Sequence, residues 1–247
     1  MKQLIISIIL ILSVTSCRHD RRQGSHREYS RIANTQTQTP NKTNQNTSGT
    51  SNKAHSGGNI LSGEQIYEKC NSAVFYVVTT DGRNEYQGSG FFVTANGRAV
   101  SNYHVFKGTL KGGEEIHLTD GSKLKISKII SSSDKYDYIV FDVKEYTSGN
   151  YIPLTTHRPK VGEKVFAIGS PLGLNNTFSS GEISQIRPNA DYQLQISVPI
   201  DHGSSGGALI NQYGEVIGIT SAGLGEISSA NLNFAVDIER LRKEIEK

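Results

Sequence analysis

The stretch that decides the fold is residues 195–210, QISVPIDHGSSGGALI in one-letter code. Its ends, 195–198 and 208–210, have the apolar character of buried strands, whereas 203–207 contains only glycine and serine. A flexible Gly/Ser linker is not expected between two core strands. A glycine-dense turn in that position usually holds a backbone conformation that side chains disfavour. The segment therefore predicts two strands joined through a specialised turn.

The turn at 203–207 also fits the pattern G-x-S-x-G, with Ser205 in the central position. In α/β-hydrolases this pattern marks a nucleophilic serine on a sharp turn from a strand into a helix, with the catalytic histidine later in the chain. Here the chain continues as a strand, and no histidine follows His202. That fold is therefore excluded, and a histidine that serves Ser205 must come earlier in the sequence.

Short strands separated by Gly, Asn and Asp turns fill the chain on both sides of this turn. Asp81-Gly82, Asn96-Gly97 and Asp120-Gly121 are typical of the turns between them. About eleven strands are predicted, at 74–79, 90–94, 98–102, 115–118, 122–130, 138–143, 164–169, 181–187, 194–198, 208–210 and 216–221. Because strands do not alternate with helices, the fold is predicted to be all-β, either a sandwich or a pair of barrels.

Helical patterns flank this β-rich region. Ser62 and Gln65 fit a capping box, and Leu61 and Ile66 are spaced as a hydrophobic staple, which predicts a short helix ending near Asn71. At the C-terminal end a second helix is predicted, with Asp237 as its N-cap and one apolar face formed by Ile238, Leu241 and Ile245.

His104 is the best-placed histidine to act as a base for Ser205. Among the seven histidines, it follows an apolar strand and has apolar neighbours on both sides. The others lie in the polar N-terminal region, in a polar strand, in a connector or next to the serine turn: His19, His26, His55, His117, His157 and His202. A half-buried histidine alone is more often structural than catalytic. No His-Glu-x-x-His or Cys/His spacing is present, so neither a metal nor a cofactor is expected.

A carboxylate is needed to accept the second N–H of the histidine ring. Asp134, Asp137 and Asp142 are the candidates around the apolar run 138–141. Asp137 immediately precedes that run, where a short side chain can turn inward at the start of a strand. Asp134 belongs to the preceding serine-rich loop, and Asp142 is predicted to point outward, so Asp137 is preferred.

Three segments together resemble the catalytic segments of the HtrA/DegP branch of trypsin-like serine proteases. They are 101–105 (SNYHV), 137–140 (DYIV) and 203–209 (GSSGGAL), and they stand in that family's order. Four further segments are similar to the same family, at 169–174, 180–184, 214–219 and 233–236. The resemblance covers roughly residues 70–247, and its joint order makes chance agreement improbable.

The resemblance implies a fold of two six-stranded antiparallel β-barrels, at about 72–155 and 160–235, with the two short helices. It implies a serine endopeptidase acting on unfolded or extended envelope polypeptides, with Ser205 as nucleophile, His104 as base and Asp137 holding the ring. The implied oxyanion hole consists of the N–H groups of Gly203 and Ser205, and the implied specificity pocket of Thr220, Ser221, Ala222 and Leu232. None of these pocket residues is acidic, which favours small aliphatic side chains over Lys or Arg.

The sequence departs from the family pattern at three points. Ser204 replaces the Asn usual in this branch and the Asp of digestive trypsins, so activation by cleavage of a zymogen is not expected. Tyr138 replaces the usual Ile, with little expected effect. The chain ends after its helix, where better-known relatives carry a PDZ domain. A catalytically silent or latent protein-binding module on the same fold remains the alternative, and the oligomeric state is open.

The N-terminus has the pattern of an exported lipoprotein. Residues 4–14 form an apolar run that is too short to span a bilayer and has the length of a signal-peptide core. Val14-Thr15-Ser16-Cys17 resembles a bacterial lipoprotein cleavage site. Residues 1–16 are therefore predicted to be a signal peptide and Cys17 to carry the lipid, in the cell envelope, facing the periplasm or the cell surface. Ordinary cleavage with a free Cys17 is the alternative.

Residues 17–59 are predicted to be a disordered polar tether, and 60–247 the protease domain. The tether is rich in Ser, Thr, Asn and Gln and lacks the apolar side chains that a core requires. Its arginines account for much of the basic excess behind the net charge of +3, which favours a solvated linker near lipid heads over a nucleic-acid partner. Cys70 is predicted to be an unpaired core residue.

Overall fold

The structure, a computed structural model, describes residues 58–170, 176–191, 193–221 and 233–247. The predicted signal peptide, Cys17 and all but the last two residues of the predicted tether lie outside these ranges. Among the described helices, none is long and apolar enough to cross a membrane.

The first helix, α1 (Gly63–Cys70), begins where the capping pattern places it. Ser62 Oγ accepts a hydrogen bond from the Gln65 N–H at 3.2 Å, and Gln65 Oε1 accepts one from the Ser62 N–H at 2.9 Å. This reciprocal pair satisfies two N–H groups that the first turn of a helix leaves open. The helix buries Ile66 and Cys70 against the core. Burial raises the pKa of the Cys70 thiol to about 11, which fits its predicted role as a core residue.

The N-terminal half is a seven-stranded antiparallel sheet in the order β5-β4-β1-β2-β3-β7-β6. The strands are β1 (Val74–Thr80), β2 (Glu85–Phe92), β3 (Arg98–Ser101), β4 (Glu115–His117), β5 (Lys123–Leu124), β6 (Ile126–Ser133) and β7 (Tyr138–Val143). Only Lys125 separates β5 from β6, so the two outer strands of the sheet are one bent stretch of chain. The predicted barrel of six strands is thus a curled sheet of seven, because this stretch pairs with β4 before the bend and with β7 after it.

The C-terminal half is a closed six-stranded barrel in the order β10-β13-β12-β11-β8-β9, as predicted. Its strands are β8 (Lys164–Gly169), β9 (Thr177–Ile186), β10 (Leu194–Ile196), β11 (Ala208–Asn211), β12 (Val216–Ser221) and β13 (Asn233–Asp237). Alternating apolar residues fill the barrel, among them Ile183, Leu194, Leu209, Ile217 and Ala235. The all-β, trypsin-like fold class is confirmed.

One apolar cluster joins the two halves and the helices that flank them. It contains Val100 and Val140 from the sheet together with Ile168 and Ile219 from the barrel. After Asp237, whose side chain accepts from the Glu239 N–H, the chain turns through a 3₁₀ turn (Ile238–Arg240) into α2 (Arg242–Ile245). The predicted apolar face of this segment is buried in the same cluster, at Ile238, Leu241 and Ile245. The halves are therefore packed on a shared core.

The chain enters the domain beside the turn that follows β11. The Leu61 N–H donates to the Gln212 carbonyl at 2.9 Å. Gly58 lies against the Tyr213 ring, close enough that an added Cβ would contact it at 3.2 Å. This entry point is at the opposite end of β11 from Ser205.

Candidate active site

His104 and Asp137 are brought together by two neighbouring strands. β3 pairs antiparallel with β7, with Ser101 opposite Ile139. His104 lies in the 3₁₀ turn Tyr103–Val105, just after β3, and Asp137 immediately precedes β7. Because antiparallel partners run in opposite directions, the end of β3 and the start of β7 meet at one edge of the sheet. The register alone therefore places the two side chains side by side.

The Asp137 carboxylate binds His104 through both the ring and the main chain. His104 Nδ1 lies 2.8 Å from Asp137 Oδ2 and 3.0 Å from Oδ1, and the His104 N–H donates to Oδ1 at 2.9 Å. Ser221 Oγ is 3.4 Å from Oδ2. The carboxylate side chain is 7% exposed, whereas the histidine side chain is 44% exposed. A buried acceptor thus orients a ring that is open to solvent.

Asp137 holds a backbone conformation that aspartate rarely adopts. Its φ is +49°, in the left-handed region, where a non-glycine residue costs on the order of 1 kcal/mol. The side chain of Asn102, which is fully buried, donates from Nδ2 to the Asp137 carbonyl at 2.8 Å. Asn102 Oδ1 is the buried side-chain polar atom without a hydrogen-bond partner among the described residues. Asn102 therefore holds the strained peptide group in place through its Nδ2, while its own Oδ1 is left without a hydrogen-bond partner among the described residues.

The serine turn has the special backbone conformation that its glycines predict. Gly203 has a φ of +87° and Gly206 one of +90°. A Cβ at Gly206 would lie far inside van der Waals contact with the Ser89 carbonyl oxygen, and one at Gly207 would lie 2.6 Å from the Ile168 carbonyl oxygen. Since these obstacles are backbone atoms, they cannot move aside as a flexible side chain could.

Hydrogen bonds fix the peptide groups of this turn from inside the barrel. The Ser204 carbonyl accepts from Thr220 Oγ1 at 2.9 Å and from the Gly207 N–H at 3.0 Å. The Gly206 N–H donates to the Thr220 carbonyl at 2.9 Å, and the Ser204 N–H to the Asp201 carbonyl at 3.0 Å. Ser205, which is 7% exposed, is thereby presented on a rigid turn.

A small cavity of about 160 Å³ lies beside the serine turn. It is lined by Ala167, Gly169, Thr177, Ser179, Pro199, Ile200, Asp201, Ser204 and Thr220. Of the predicted pocket residues, Thr220 lines this cavity, whereas the Ser221 hydroxyl lies near Asp137. Ala222 and Leu232 lie outside the described residues. The described lining includes an acidic residue, Asp201, which is not among the predicted pocket residues.

Two further residues support the site, Ser89 and Asn102, and neither is among the site residues predicted from the sequence. Ser89 donates from its N–H to the Ser205 carbonyl at 2.7 Å and from Oγ to the Gly203 carbonyl at 2.7 Å. The signal was present as Gly88-Ser89-Gly90, since glycines inside a strand often mark a close approach of backbone. No group of three or more His, Cys, Asp or Glu side chains in the described part of the chain could hold a metal ion.

Comparison with known proteins identifies the same family that the three catalytic segments resemble. Residues 88–219 match the trypsin-like peptidase domain. The probable periplasmic serine endoprotease DegP-like of Rhizobium meliloti is 34% identical over 143 residues, covering 55% of this chain and 28% of the relative. The protein of the same name from Halomonas elongata is 40% identical over 144 residues, covering 54% and 29%. The chain thus spans less than a third of the length of these relatives.

A solved structure shares the fold. The serine endoprotease from Yersinia pestis is 26% identical, with a TM-score of 0.66, over 76% of this chain and 68% of that one. The match to the family model covers more than half of the 247 residues. It includes the serine turn, His104 and Asp137, so the chain belongs to the trypsin-like peptidase domain family, within which its relatives are HtrA- and DegP-like.

Proposed function

We propose that this protein is a serine endopeptidase whose catalytic triad is His104, Asp137 and Ser205. The observation that carries the proposal is the buried Asp137 carboxylate, which binds Nδ1 of a solvent-accessible His104 at 2.8 Å. An ionised carboxylate at Nδ1 favours the tautomer with its proton on that nitrogen, which leaves the Nε2 lone pair to accept a proton from a serine hydroxyl.

The reaction follows from these roles. Ser205 Oγ attacks the carbonyl carbon of a peptide bond while His104 takes the hydroxyl proton, and Asp137 stabilises the imidazolium that forms. The C–N bond then breaks, and His104 returns the proton to the leaving amine. Water, activated by the same histidine, hydrolyses the acyl-enzyme ester and restores Ser205.

We assign the oxyanion hole to the N–H groups of Gly203 and Ser205. Negative charge develops on the substrate oxygen during attack, and each backbone donor directed at it is worth on the order of 3 kcal/mol. The hydrogen bonds that the Gly203, Ser204 and Ser205 carbonyls accept support this role. They hold the three peptide groups that follow Gly203 before substrate arrives, including the group that carries the Ser205 N–H.

The proposed substrates are unfolded or extended polypeptides of the cell envelope. The relatives named above are described as periplasmic serine endoproteases, and an extended chain leaves its peptide carbonyls accessible to a nucleophile. A cavity of about 160 Å³ favours a small side chain next to the cleaved bond. Asp201 places a carboxylate in the lining of that cavity. Its attraction for positive charge would extend the preference toward basic side chains.

Cleavage of casein by the full chain tests the proposal. The wild type and a Ser132→Ala control, which alters an exposed serine on β6, are expected to cleave, whereas Ser205→Ala is expected to be inactive. A fluorophosphonate probe should label the first two proteins and not the third. Equal cleavage by all three would show that Ser205 is not the nucleophile. No cleavage and no labelling of the wild type would favour the silent or latent binding module.

We also propose the arrangement of a signal peptide at 1–16, a lipid on Cys17, a polar tether at 17–59 and the protease domain at 60–247. Its basis is the sequence pattern around Val14-Thr15-Ser16-Cys17. Labelling of expressing bacteria with a radioactive fatty acid tests it. Wild-type protein should carry the label and Cys17→Ser should not, while label in both would refute lipidation at Cys17.

A further inference from the structure

Ser89 lies at the centre of β2, where the sheet meets the serine turn of the barrel. Its side chain is fully buried. Successive side chains of a strand point to opposite faces, so Gly88 and Gly90 face away from Ser89. A Cβ at Gly88 would lie 2.6 Å from Val105, and one at Gly90 would clash with the Phe75 ring. The two glycines thus leave room for Val105 and Phe75 to pack closely against β2, and Gly88 also leaves room for the Ser205 carbonyl oxygen, which a Cβ there would approach to 3.3 Å.

Every hydrogen-bonding group of Ser89 has a partner. Its N–H donates to the Ser205 carbonyl at 2.7 Å, and its carbonyl accepts from Ser101 Oγ at 2.6 Å. Its hydroxyl donates to the Gly203 carbonyl at 2.7 Å and accepts from the Ser170 N–H at 2.8 Å. Because the Ser170 N–H occupies a lone pair of the hydroxyl, the hydroxyl hydrogen is directed at Gly203.

Gly203 needs such an external anchor. A glycine has no Cβ to restrict its φ and ψ angles, so its two flanking peptide groups can rotate at little cost. One of these peptide groups carries the Gly203 N–H, an assigned donor of the oxyanion hole, and the other carries the carbonyl that Ser89 binds. Holding that carbonyl restricts the ψ rotation of Gly203, so only the φ rotation is left to change the direction in which the Gly203 N–H points.

We propose that the Ser89 hydroxyl is a positioning residue for the oxyanion hole. This inference rests on the proposed endopeptidase function and assigns Ser89 no contact with substrate. It acts through Gly203 and selects the peptide orientation that binds the transition state. A displacement of about 1 Å in a catalytic group can cost on the order of 100-fold in rate, so an effect between tenfold and 100-fold is expected when the hydroxyl is lost.

Kinetics of full-length Ser89→Ala on a chromogenic peptide test this role. We expect kcat to fall roughly 10- to 100-fold while KM changes less than about twofold, since only transition-state binding is impaired. A peptide aldehyde, which forms a hemiacetal with the nucleophile and places an oxygen in the oxyanion hole, should lose affinity by a similar factor. The shape of the pH profile of kcat should not change, because the substitution leaves the contact between His104 and Asp137 intact.

Thr155→Val is the matched control. Thr155 is another buried hydroxyl, 1% exposed, but it lies in the connection between the two halves. The Thr155→Val variant should lose about as much thermal stability as Ser89→Ala, but its kcat and its affinity for the aldehyde should stay unchanged. Unchanged kcat in Ser89→Ala, with an active wild type, would overturn the positioning role and leave the proposed function intact. A parallel loss in both variants would also overturn it, because general destabilisation would then explain the effect. An inactive wild type would overturn the proposed function and this inference together.

Discussion

The two halves of the molecule position their catalytic groups in different ways. In the N-terminal sheet, the pairing of β3 with β7 sets the distance between His104 and Asp137. In the C-terminal barrel, Ser205 sits on a turn whose shape depends on glycine conformations and on bonds from Ser89 in the other half. The register of two paired strands is held by many hydrogen bonds together, whereas the conformation of a turn is held by only a few. The serine turn should therefore be the more easily disturbed of the two.

The largest effect is expected from Asp137→Asn, in the N-terminal sheet. It tests whether Asp137 and His104 act together in catalysis. Asparagine keeps the shape but offers an N–H where the ring needs an acceptor, which favours the wrong histidine tautomer. We expect kcat to fall about 10⁴-fold with the unfolding temperature little changed. Steady-state kinetics and thermal unfolding measure both. A loss below tenfold would show that the contact between Asp137 and His104 is structural.

Gly206→Ala tests the barrel half. The added methyl group would meet the Ser89 carbonyl at a φ of +90°, so we expect a loss of about 3 kcal/mol or more in the free energy of unfolding, together with loss of activity. Gly121→Ala is the control, since Gly121 has a φ of +86° but open space around it. It should cost about 1 kcal/mol and leave kcat intact. Equal costs in denaturant titrations would mean that close packing at Gly206 is unimportant.

Asn102→Ala tests whether the strain at Asp137 needs its anchor. Removal of the amide leaves the Asp137 carbonyl without that donor, so we expect about 1–3 kcal/mol of lost stability and roughly a tenfold lower kcat. Asn211→Ala removes a buried amide oxygen from the turn after β11, where it accepts from the Tyr213 and Glu215 N–H groups. A comparable stability loss with unchanged kcat is expected there. A kcat equally unaffected in both variants would contradict the anchoring role of Asn102.

The smallest effect is expected at Asp237, which is remote from both catalytic groups. Burial raises the pKa of its carboxyl, although the Glu239 N–H opposes this shift. A carboxyl whose pKa is higher in the folded state contributes stability that is complete below its unfolded pKa and is lost as pH rises through its folded pKa. Asp237→Asn keeps the cap and avoids this loss, so its unfolding temperature should exceed that of the wild type by a few degrees at pH 7.

The pH dependence distinguishes this explanation from a general gain in packing. The difference in unfolding temperature should shrink as the pH falls toward 4, because protonated Asp237 is no longer penalised by burial. A constant difference between pH 4 and 7 would mean that ionisation of Asp237 is not its cause. Activity at pH 7 should be the same in both proteins.

Features set by neighbours in sequence could be predicted closely. The capping box of α1 and the bounds of β7 depend on residues a few positions apart, and the structure has them as expected. The break at Lys125 could not be predicted, because it depends on which strands pair on either side of the bend. β9 begins at Thr177, earlier than predicted, since its polar first residues are held by pairing with β8.

The same limit applies to the site. His104 and Asp137 could be chosen because each stands at the end of an apolar strand pattern. Ser89 and Asp201 have no such place in the pattern, and Asn102, which ends the predicted strand 98–102, gives no local sign of its bond to Asp137. Contacts of this kind join positions up to 114 residues apart in the chain. The glycines on either side of Ser89 indicate that other atoms approach the strand closely. They do not indicate which residues those atoms belong to.

The bond between Leu61 and Gln212 has a practical consequence for handling the protein. It fixes the entry of the chain at one end of β11, and Ser205 precedes the other end. Four strand residues at about 3.3 Å each put on the order of 13 Å of barrel between them. A bead, dye or fusion partner joined directly to Gly58 would thus start from the end of β11 that is away from Ser205, which makes this position a suitable point for attachment.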